Sequence, residues 1–367
     1  MFNEIVEVNA DSRKYNIYIE PSFENLGQVV KDAGLGGRKI CVIADSNTAE
    51  IYLDSVKTAL SETGCEFVEI VFPAGEQNKT LAVIEAFYAR FLSEKLDRTS
   101  VVVALGGGVC GDMAGFAAAT YMRGIKFIQI PTTLLAQVDS SVGGKTGVDF
   151  GKYKNVVGAF YQPEFVYINV KVLETLPSEQ FASGMAEAIK HGLIRDSKYF
   201  NWMNENAKNI NDLETIALMR LVSGSCKIKS EVVSQDERES GLRAILNFGH
   251  TFGHAVEGLC DYALPHGHCV SIGAAAAFEL SSKVGLLTRE QIDEAKNTFE
   301  IFGLPTKIPA ELKKFTEDEV FTHMLSDKKT TGGKLNIVLL DGIGNAVIKR
   351  DMDECAVREA IEVLFND

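Results

Sequence analysis

Four of the chain's six histidines fall between Leu246 and Cys269, in the stretch LNFGHTFGHAVEGLCDYALPHGHC. His250 and His254 stand four residues apart in a helical pattern, so both can project from one helix face. Pro265 and Gly267 are expected to set His266 and His268 on a tight turn further along. A divalent ion with an open position takes two or three neutral imidazoles and often a carboxylate from elsewhere in the fold. It needs their lone pairs and must keep one place for substrate. Histidines at this spacing also suit ordinary packed or exposed side chains. The pattern is not that of HExxH zinc enzymes, because Thr251 stands where the glutamate base would have to be.

Other residues with chemical potential lie upstream. Glu187, Lys190 and His191 fall within one helical turn of SEQFASGMAEAIKHGLIRD. Glu187 and Lys190 share a face, either as a solvated ion pair or as the carboxylate the histidines lack beside a lysine that reaches substrate. Lys229 and Arg243 lead along KIKSEVVSQDERESGLRAILNFGH into the histidine stretch. Gly106, Gly108 and Gly111 satisfy GxGxxG at a strand-to-helix junction, where a pyrophosphate could meet backbone N–H groups. The turn follows a late strand and no acid occurs about 20 residues on, so it reads as a variant nucleotide site or as close packing. Asp45, followed by Asn47, ends an earlier strand and could take the ribose hydroxyls instead. From Ala136 to Gly158 the chain mixes glycines with Lys145, Lys152, Lys154, Asp139 and Asp149, which suggests a functional loop.

The elements that must position these groups are legible from hydrophobic period. Residues 2–20 alternate as two short strands joined through Asp11 and Ser12. The apolar runs at 39–45, 65–72, 100–108 and 126–131 suit buried parallel strands, with helical patterns near 48–62, 80–96 and 109–120 between them. An open doubly wound sheet follows, with ligands expected beyond the strands' carboxyl ends. A last strand at 165–170 precedes Leu176-Pro177-Ser178, where Ser178 can cap a new helix. Helical periodicity then dominates to about residue 325, followed by a hairpin and a final helix at 354–366. The expected fold is an α/β N-terminal domain, residues 1–176, with a mostly parallel, Rossmann-like sheet, and a mainly α-helical C-terminal domain, residues 177–367.

A chain of 367 residues, 46% hydrophobic and 24% charged, can bury two cores. No apolar run reaches the roughly 18 residues of a membrane helix, and the N-terminus lacks signal-peptide features, so a cytoplasmic protein is expected. Seven cysteines without a CxxC pair suit reduced thiols. The net charge of −13 disfavours nucleic acid and anionic membrane as partners, while a local cationic cluster can still attract an anionic small molecule.

Taken together, GEQNKT (75–80), GGGVCGDMAGFAAATYMRG, IPTTLLAQVDSSVGGKTGVD, GMAEAIKHGLI, DERESGLRAILNFGHTFGHAVE and HGHCVSIG closely resemble the 3-dehydroquinate synthase family across nearly the whole chain. The resemblance implies a carbon–oxygen lyase of the shikimate route, usually a homodimer, carrying NAD and a divalent metal, zinc or cobalt. Its members convert 3-deoxy-D-arabino-heptulosonate 7-phosphate to 3-dehydroquinate and phosphate by oxidation, phosphate elimination, reduction, ring opening and intramolecular aldol closure. Related sugar-phosphate cyclases and metal-dependent polyol dehydrogenases are the alternatives.

Residue by residue, the resemblance makes Glu187, His250 and His266 the metal ligands and leaves His254 as a substrate contact. It puts Asp45, Asn47, Ala74, Gly75, Glu76, Gln77, Asn78 and Lys79 on NAD. The glycine turn Gly107, Gly108, Val109, Cys110, Gly111 and Asp112 joins them, with Thr132, Thr133, Lys145, Lys154 and the segment Val172, Leu173, Glu174 and Thr175. Arg123, Asp139, Asn155, Lys190, Lys229, Arg243, Asn247 and one of Lys328 or Lys329 then surround the substrate's phosphate, carboxylate and hydroxyls, and Lys145 also counts among the catalytic residues. One departure is His268, which stands where the family usually has the glutamate of HGE.

Overall fold

The structure, a computed structural model, describes residues 4–151, 153–326 and 335–365. The chain divides into two compact units. The first comprises residues up to Leu176 together with Leu218–Arg238, and the second comprises Pro177–Ala217 and Glu239 onward.

The first unit is built on strands β1 (Glu4–Asn9), β2 (Lys14–Glu20), β3 (Lys39–Asp45), β4 (Glu66–Phe72), β5 (Val101–Gly106), β6 (Lys126–Pro131) and β9 (Phe165–Asn169). They form one sheet in the order β1-β2-β9-β6-β5-β3-β4, and only the β1–β2 pair is antiparallel. Both faces are covered, which is why the strands read as unbroken apolar runs. On β3 and β5, Cys41, Ile43, Val102 and Ala104 pack into one core. Their alternates Ile40, Val42, Ala44, Val101, Val103 and Leu105 pack into the other. The mostly parallel sheet expected from sequence is therefore present.

Two features of this unit depart from the sequence reading. The stretch expected as a loop forms a π-helical turn at Ala136–Ser140 and a hairpin of β7 (Lys145–Phe150) and β8 (Tyr153–Phe160). Glycines disguised these strands, yet the pairing requires them. A Cβ on Gly158 would lie 2.2 Å from the Thr146 carbonyl oxygen, and one on Gly147 would lie 2.7 Å from that of Val157. The second departure is the helical segment from Leu218 to Arg238, which belongs with the first unit and not with the residues that flank it in sequence. Long-range contacts bind it there. Lys229 donates to the Asp139 carbonyl at 2.6 Å and carboxylate at 2.7 Å, and the Cys226 thiol donates to Gln137 O at 3.3 Å. Glu237 accepts from the Ser12 amide at 2.9 Å, the Ser12 hydroxyl and the Gln162 amide at 2.7 Å. Although burial opposes ionisation, these bonds hold the Glu237 carboxyl below its usual range.

The second unit is mainly helical, with a hairpin of β10 (Asn336–Leu340) and β11 (Ala346–Arg350). Its centre is the helix Ser178–Arg195, whose residues 181–194 are all buried. The helices His250–Leu259 and His266–Lys283 pack on each other so closely that side chains are excluded. A Cβ on Gly273 would meet Gly249 O at 2.1 Å, and one on Gly253 would meet Cys269 O at 2.7 Å. A Cβ on Gly267 would meet Ser183 O at 2.0 Å, so the start of that helix is pressed against Ser178–Arg195 as well. Among the described residues no helix is long and apolar enough to cross a membrane.

Candidate active-site residues and a candidate metal centre

In the second unit, three helices bring Glu187, His250 and His266 together, with one ligand atom of each within 4.8 Å of the others. Glu187 Oε1 lies 3.5 Å from His250 Nε2 and 3.7 Å from His266 Nε2. Tetrahedral donors about 2.0–2.1 Å from a zinc ion stand about 3.3–3.4 Å apart, so both separations from Glu187 Oε1 are close to those a divalent cation needs. The expected tight turn at His266 is instead a helix start, following Pro265 and tied by the Gly267 amide to the Ser183 hydroxyl at 3.0 Å. That helix sends His266 and His268 to different sides, since residues two apart do not share a face. His268 Nδ1 is buried without a hydrogen-bond partner, and burial lowers the pKa of the ring. His254 does lie near the cluster, its ring centroid 5.2 Å from that of His250 and 6.0 Å from that of His266.

The Glu187–Lys190 pair is not the solvated one that its spacing allows. The side chains are 1% and 2% exposed, and the ammonium contacts Glu187 Oε2. Two charges so deeply buried cost several kcal/mol of desolvation each unless the site uses them. Burial and the nearby Lys190 ammonium push His250 well below its usual pKa, which leaves a neutral imidazole with a lone pair. At His266 burial acts in the same direction, but Glu187 and Glu257 outweigh it and push the ring up to about 9. A cation taking that nitrogen must displace a proton. Glu257, absent from the sequence expectations, lies 3.5 Å from His266 Nδ1. Its signal was its place in HTFGHAVE: His250, His254 and Glu257 fall at i, i+4 and i+7, one face of a helix.

Also in this unit, Arg243 is 2% exposed on the short 3₁₀ segment Leu242–Asn247. Asn247 donates from its side chain to Glu239 Oε1 at 2.7 Å. Lys328 and Lys329 lie outside the described residues.

In the first unit, the glycine turn follows β5, and β5 is late in sequence but central in the sheet. The chain reverses its direction of winding between β3 and β5, so the turn stands at the switch point where open α/β sheets bind ligands. Gly107 precedes the helix Gly108–Thr120, whose first N–H groups are available to an anion. A Cβ on Gly106 would lie 3.1 Å from Asp45 Oδ2, so Asp45 adjoins the turn. The Asp45 carboxylate caps the helix Ser46–Leu60 by accepting from the amides of Asn47 and Thr48 at 3.0 and 3.1 Å. Beside them, the Thr132 amide donates to Gly106 O at 3.0 Å, and Thr133 Oγ1 accepts from the Ala136 amide at 3.1 Å.

The segment Ala74–Lys79 folds as a 3₁₀ turn after Gly75, at φ +111°, with the Asn78 side chain donating to Ala74 O at 3.0 Å. Lys79 is buried and donates to Asp112 at 2.6 Å and to Asn155 at 2.5 Å. Burial works against its charge, but Asp112, Glu76 and Asp149 raise its pKa. Asn155 sits at φ +53°, a left-handed conformation in which its backbone N–H donates to Asp149 Oδ1 at 2.7 Å. Val172–Thr175 forms a 3₁₀ turn, where the Tyr52 hydroxyl meets Val172 O at 3.1 Å and the Thr175 hydroxyl. Arg123 is exposed at φ +69°, and Lys145 and Lys154 lie on the β7–β8 hairpin. Asp139 lies on the π-helical turn, a distortion frequent at functional sites.

Family models for the N-terminal and C-terminal parts of 3-dehydroquinate synthase match residues 69–183 and 184–330. The chain belongs to the 3-dehydroquinate synthase family. It is 45% identical to the 3-dehydroquinate synthase of Acetivibrio thermocellus over 91% of each chain. It is 44% identical to that of Ruminiclostridium cellulolyticum over 96% of this chain and 95% of the relative. The family's fold extends to a solved 2-epi-5-epi-valiolone synthase of Streptomyces hygroscopicus with NAD⁺ and Zn²⁺ bound, 26% identical with a TM-score of 0.86 over 96% of each chain. The chain is an enzyme of the 3-dehydroquinate synthase family, and its mostly parallel sheet and helical second unit are of that family's kind.

Proposed function

We propose that the chain converts 3-deoxy-D-arabino-heptulosonate 7-phosphate to 3-dehydroquinate and phosphate, using NAD and one divalent ion, zinc or cobalt. The observation that carries this reading is the buried group of Glu187, His250 and His266 with Lys190 against it, in a chain that matches the family over nearly its whole length. When bound, NAD supplies a reversible oxidation beside the departing phosphate, and the ion supplies Lewis acidity at the oxidised oxygen.

The protein's own residues then bind and orient. Glu187, His250 and His266 hold the ion. The glycine turn Gly107–Asp112, Asp45, the Ala74–Lys79 turn, Thr132, Thr133 and Val172–Thr175 hold the dinucleotide, with Lys145 and Lys154. Arg123, Lys190, Lys229, Arg243, His254 and Lys328 hold phosphate and carboxylate as charge-assisted partners, and Asp139, Asn155 and Asn247 orient hydroxyls. Phosphate held in this way can itself accept the proton lost in elimination, so no strong protein base is required. Keeping both ends of the opened intermediate in one site supplies the proximity needed for aldol closure.

The neutral substrate of a polyol dehydrogenase makes no use of the cationic side chains Lys190, Lys229 and Arg243, which are buried here, whereas a phosphorylated sugar acid gains charge-assisted hydrogen bonds from such groups. Arg243 with Asn247 favours a substrate with a carboxylate over glucose 6-phosphate or sedoheptulose 7-phosphate. Phosphate release should be rapid from the heptulosonate phosphate and negligible from the two sugar phosphates. Equal release from either of those would move the chain to a neighbouring cyclase activity. The same reading carries a homodimer, which light scattering checks.

A further inference from the structure

The two histidines of the cluster are each anchored through Nδ1, by different partners. His250 Nδ1 donates to Phe248 O at 3.1 Å, a backbone atom two residues before it. His266 Nδ1 faces a side chain, Glu257 Oε2, at 3.5 Å. With the proton on Nδ1, the lone pair lies on Nε2, and Nε2 of each ring is the nitrogen that faces Glu187. His266 has more freedom to lose. It begins its helix, and its side chain is 32% exposed against 11% for His250. Glu257 itself is 8% exposed, so its carboxylate meets His266 away from bulk water, where a hydrogen bond is electrostatically stronger. The close glycine contacts between the two helices fix its backbone against that of His266.

We propose that Glu257 is a positioning residue for the divalent ion: its carboxylate takes the Nδ1–H of His266, sets the tautomer and aims Nε2 at the ion. The inference rests on the metal-site reading above and extends it to a residue outside the ligand set. A backbone carbonyl does the same for His250 without charge. At His266 the carboxylate also makes the ring a stronger donor, as acids behind metal-bound imidazoles do.

The test is zinc affinity, measured by chelator competition on the full chain. Glu257→Ala should bind zinc about 10–100-fold more weakly, and Glu257→Gln, which keeps shape and one acceptor, should lose less. NAD affinity and the circular dichroism spectrum should not change. In a His266→Ala background, Glu257→Ala should cost no further affinity, because the partner through which it acts is gone. Wild-type affinity in folded Glu257→Ala, or an undiminished loss in the His266→Ala background, would overturn the proposal. Should Glu257→Ala not fold, ring ¹⁵N shifts of the zinc-free wild type and Glu257→Gln decide. An Nδ1–H tautomer at neutral His266 that becomes mixed in Glu257→Gln supports the role, and an Nε2–H tautomer in the wild type contradicts it. A wild-type chain that binds no zinc at all would remove the metal-site reading, and this inference with it.

Discussion

Each unit buries a lysine against a carboxylate, and the two pairs are built differently. Lys79 of the first unit is surrounded by acceptors: Asp112 at 2.6 Å, Asn155 at 2.5 Å and Glu76 at 4.0 Å. One cation is shared among several oxygens, so its charge is balanced by the protein itself. In the second unit the count is reversed, because one carboxylate, Glu187, faces the Lys190 ammonium and two imidazoles. That arrangement gathers donors and positive charge around a single anion, and it suits a site completed by a cation and an anionic substrate. The contrast teaches that a buried ion pair is read from what else its members touch.

The largest effect should come from removing a donor. His250→Ala should lose stoichiometric metal by elemental analysis and at least about a hundredfold in turnover, more than the loss of an outer partner. Chelation should do the same to the wild type, with zinc or cobalt restoring activity. Full metal content and activity in His250→Ala would dissolve the distinction between the two pairs.

The lysines sharpen it. Lys79→Met leaves Asp112 without its cation and should cost about 3–5 kcal/mol in urea unfolding, the usual result of halving a buried pair. Lys190→Met should cost the zinc-loaded protein less, since Glu187 keeps a cationic partner, but should lower turnover about a hundredfold or more. Equal destabilisation by the two would refute the comparison.

A smaller effect concerns Glu237, a buried carboxylate that accepts hydrogen bonds from Ser12 and Gln162. Its folded pKa is below the unfolded value, so its stabilisation is present above the ordinary glutamate range and is lost as pH falls through the folded pKa. Glu237→Gln should therefore unfold about 1–3 kcal/mol more easily at neutral pH, and the gap from wild type should narrow in acid. A constant gap would mean the charge contributes nothing. The smallest effect is expected at His268, which shares no metal-ligand group with Glu187, His250 and His266 among the described residues. His268→Glu should keep activity within about threefold, a shift of under 1 kcal/mol.

How much of this was legible in the sequence depended on the range of the interactions. β3 and β5 were plain because both faces are buried, which makes their apolar runs continuous. The β7–β8 hairpin has the sequence of a loop because the glycines that let its strands approach also erase strand propensity. The segment Leu218–Arg238 looks like any other helix of the second half. Its membership of the first unit is decided by Asp139, Gln137, Ser12 and Gln162, partners distant in sequence. At the candidate metal centre, the histidines stand out by number and spacing, but Glu187 lies far upstream, where its spacing to Lys190 suits a solvated ion pair as well as a ligand, and only the family resemblance chooses between the two. The two-residue step between His266 and His268 could have separated them, had a helix been expected after Pro265 in place of a turn. Glu257 does not stand out in the sequence, because an acid three residues after a histidine is unremarkable until the opposing helix is known.

The central claim, that the chain is a cyclase which regenerates its NAD, is tested most directly by following NADH absorbance and inorganic phosphate together. The heptulosonate phosphate is supplied in large excess over NAD, with zinc or cobalt present. The account predicts many equivalents of phosphate per NAD while absorbance stays flat, because the hydride taken in the first step is returned within the same turnover. NADH rising in step with substrate loss, with no phosphate released, would contradict it and make the chain a dehydrogenase.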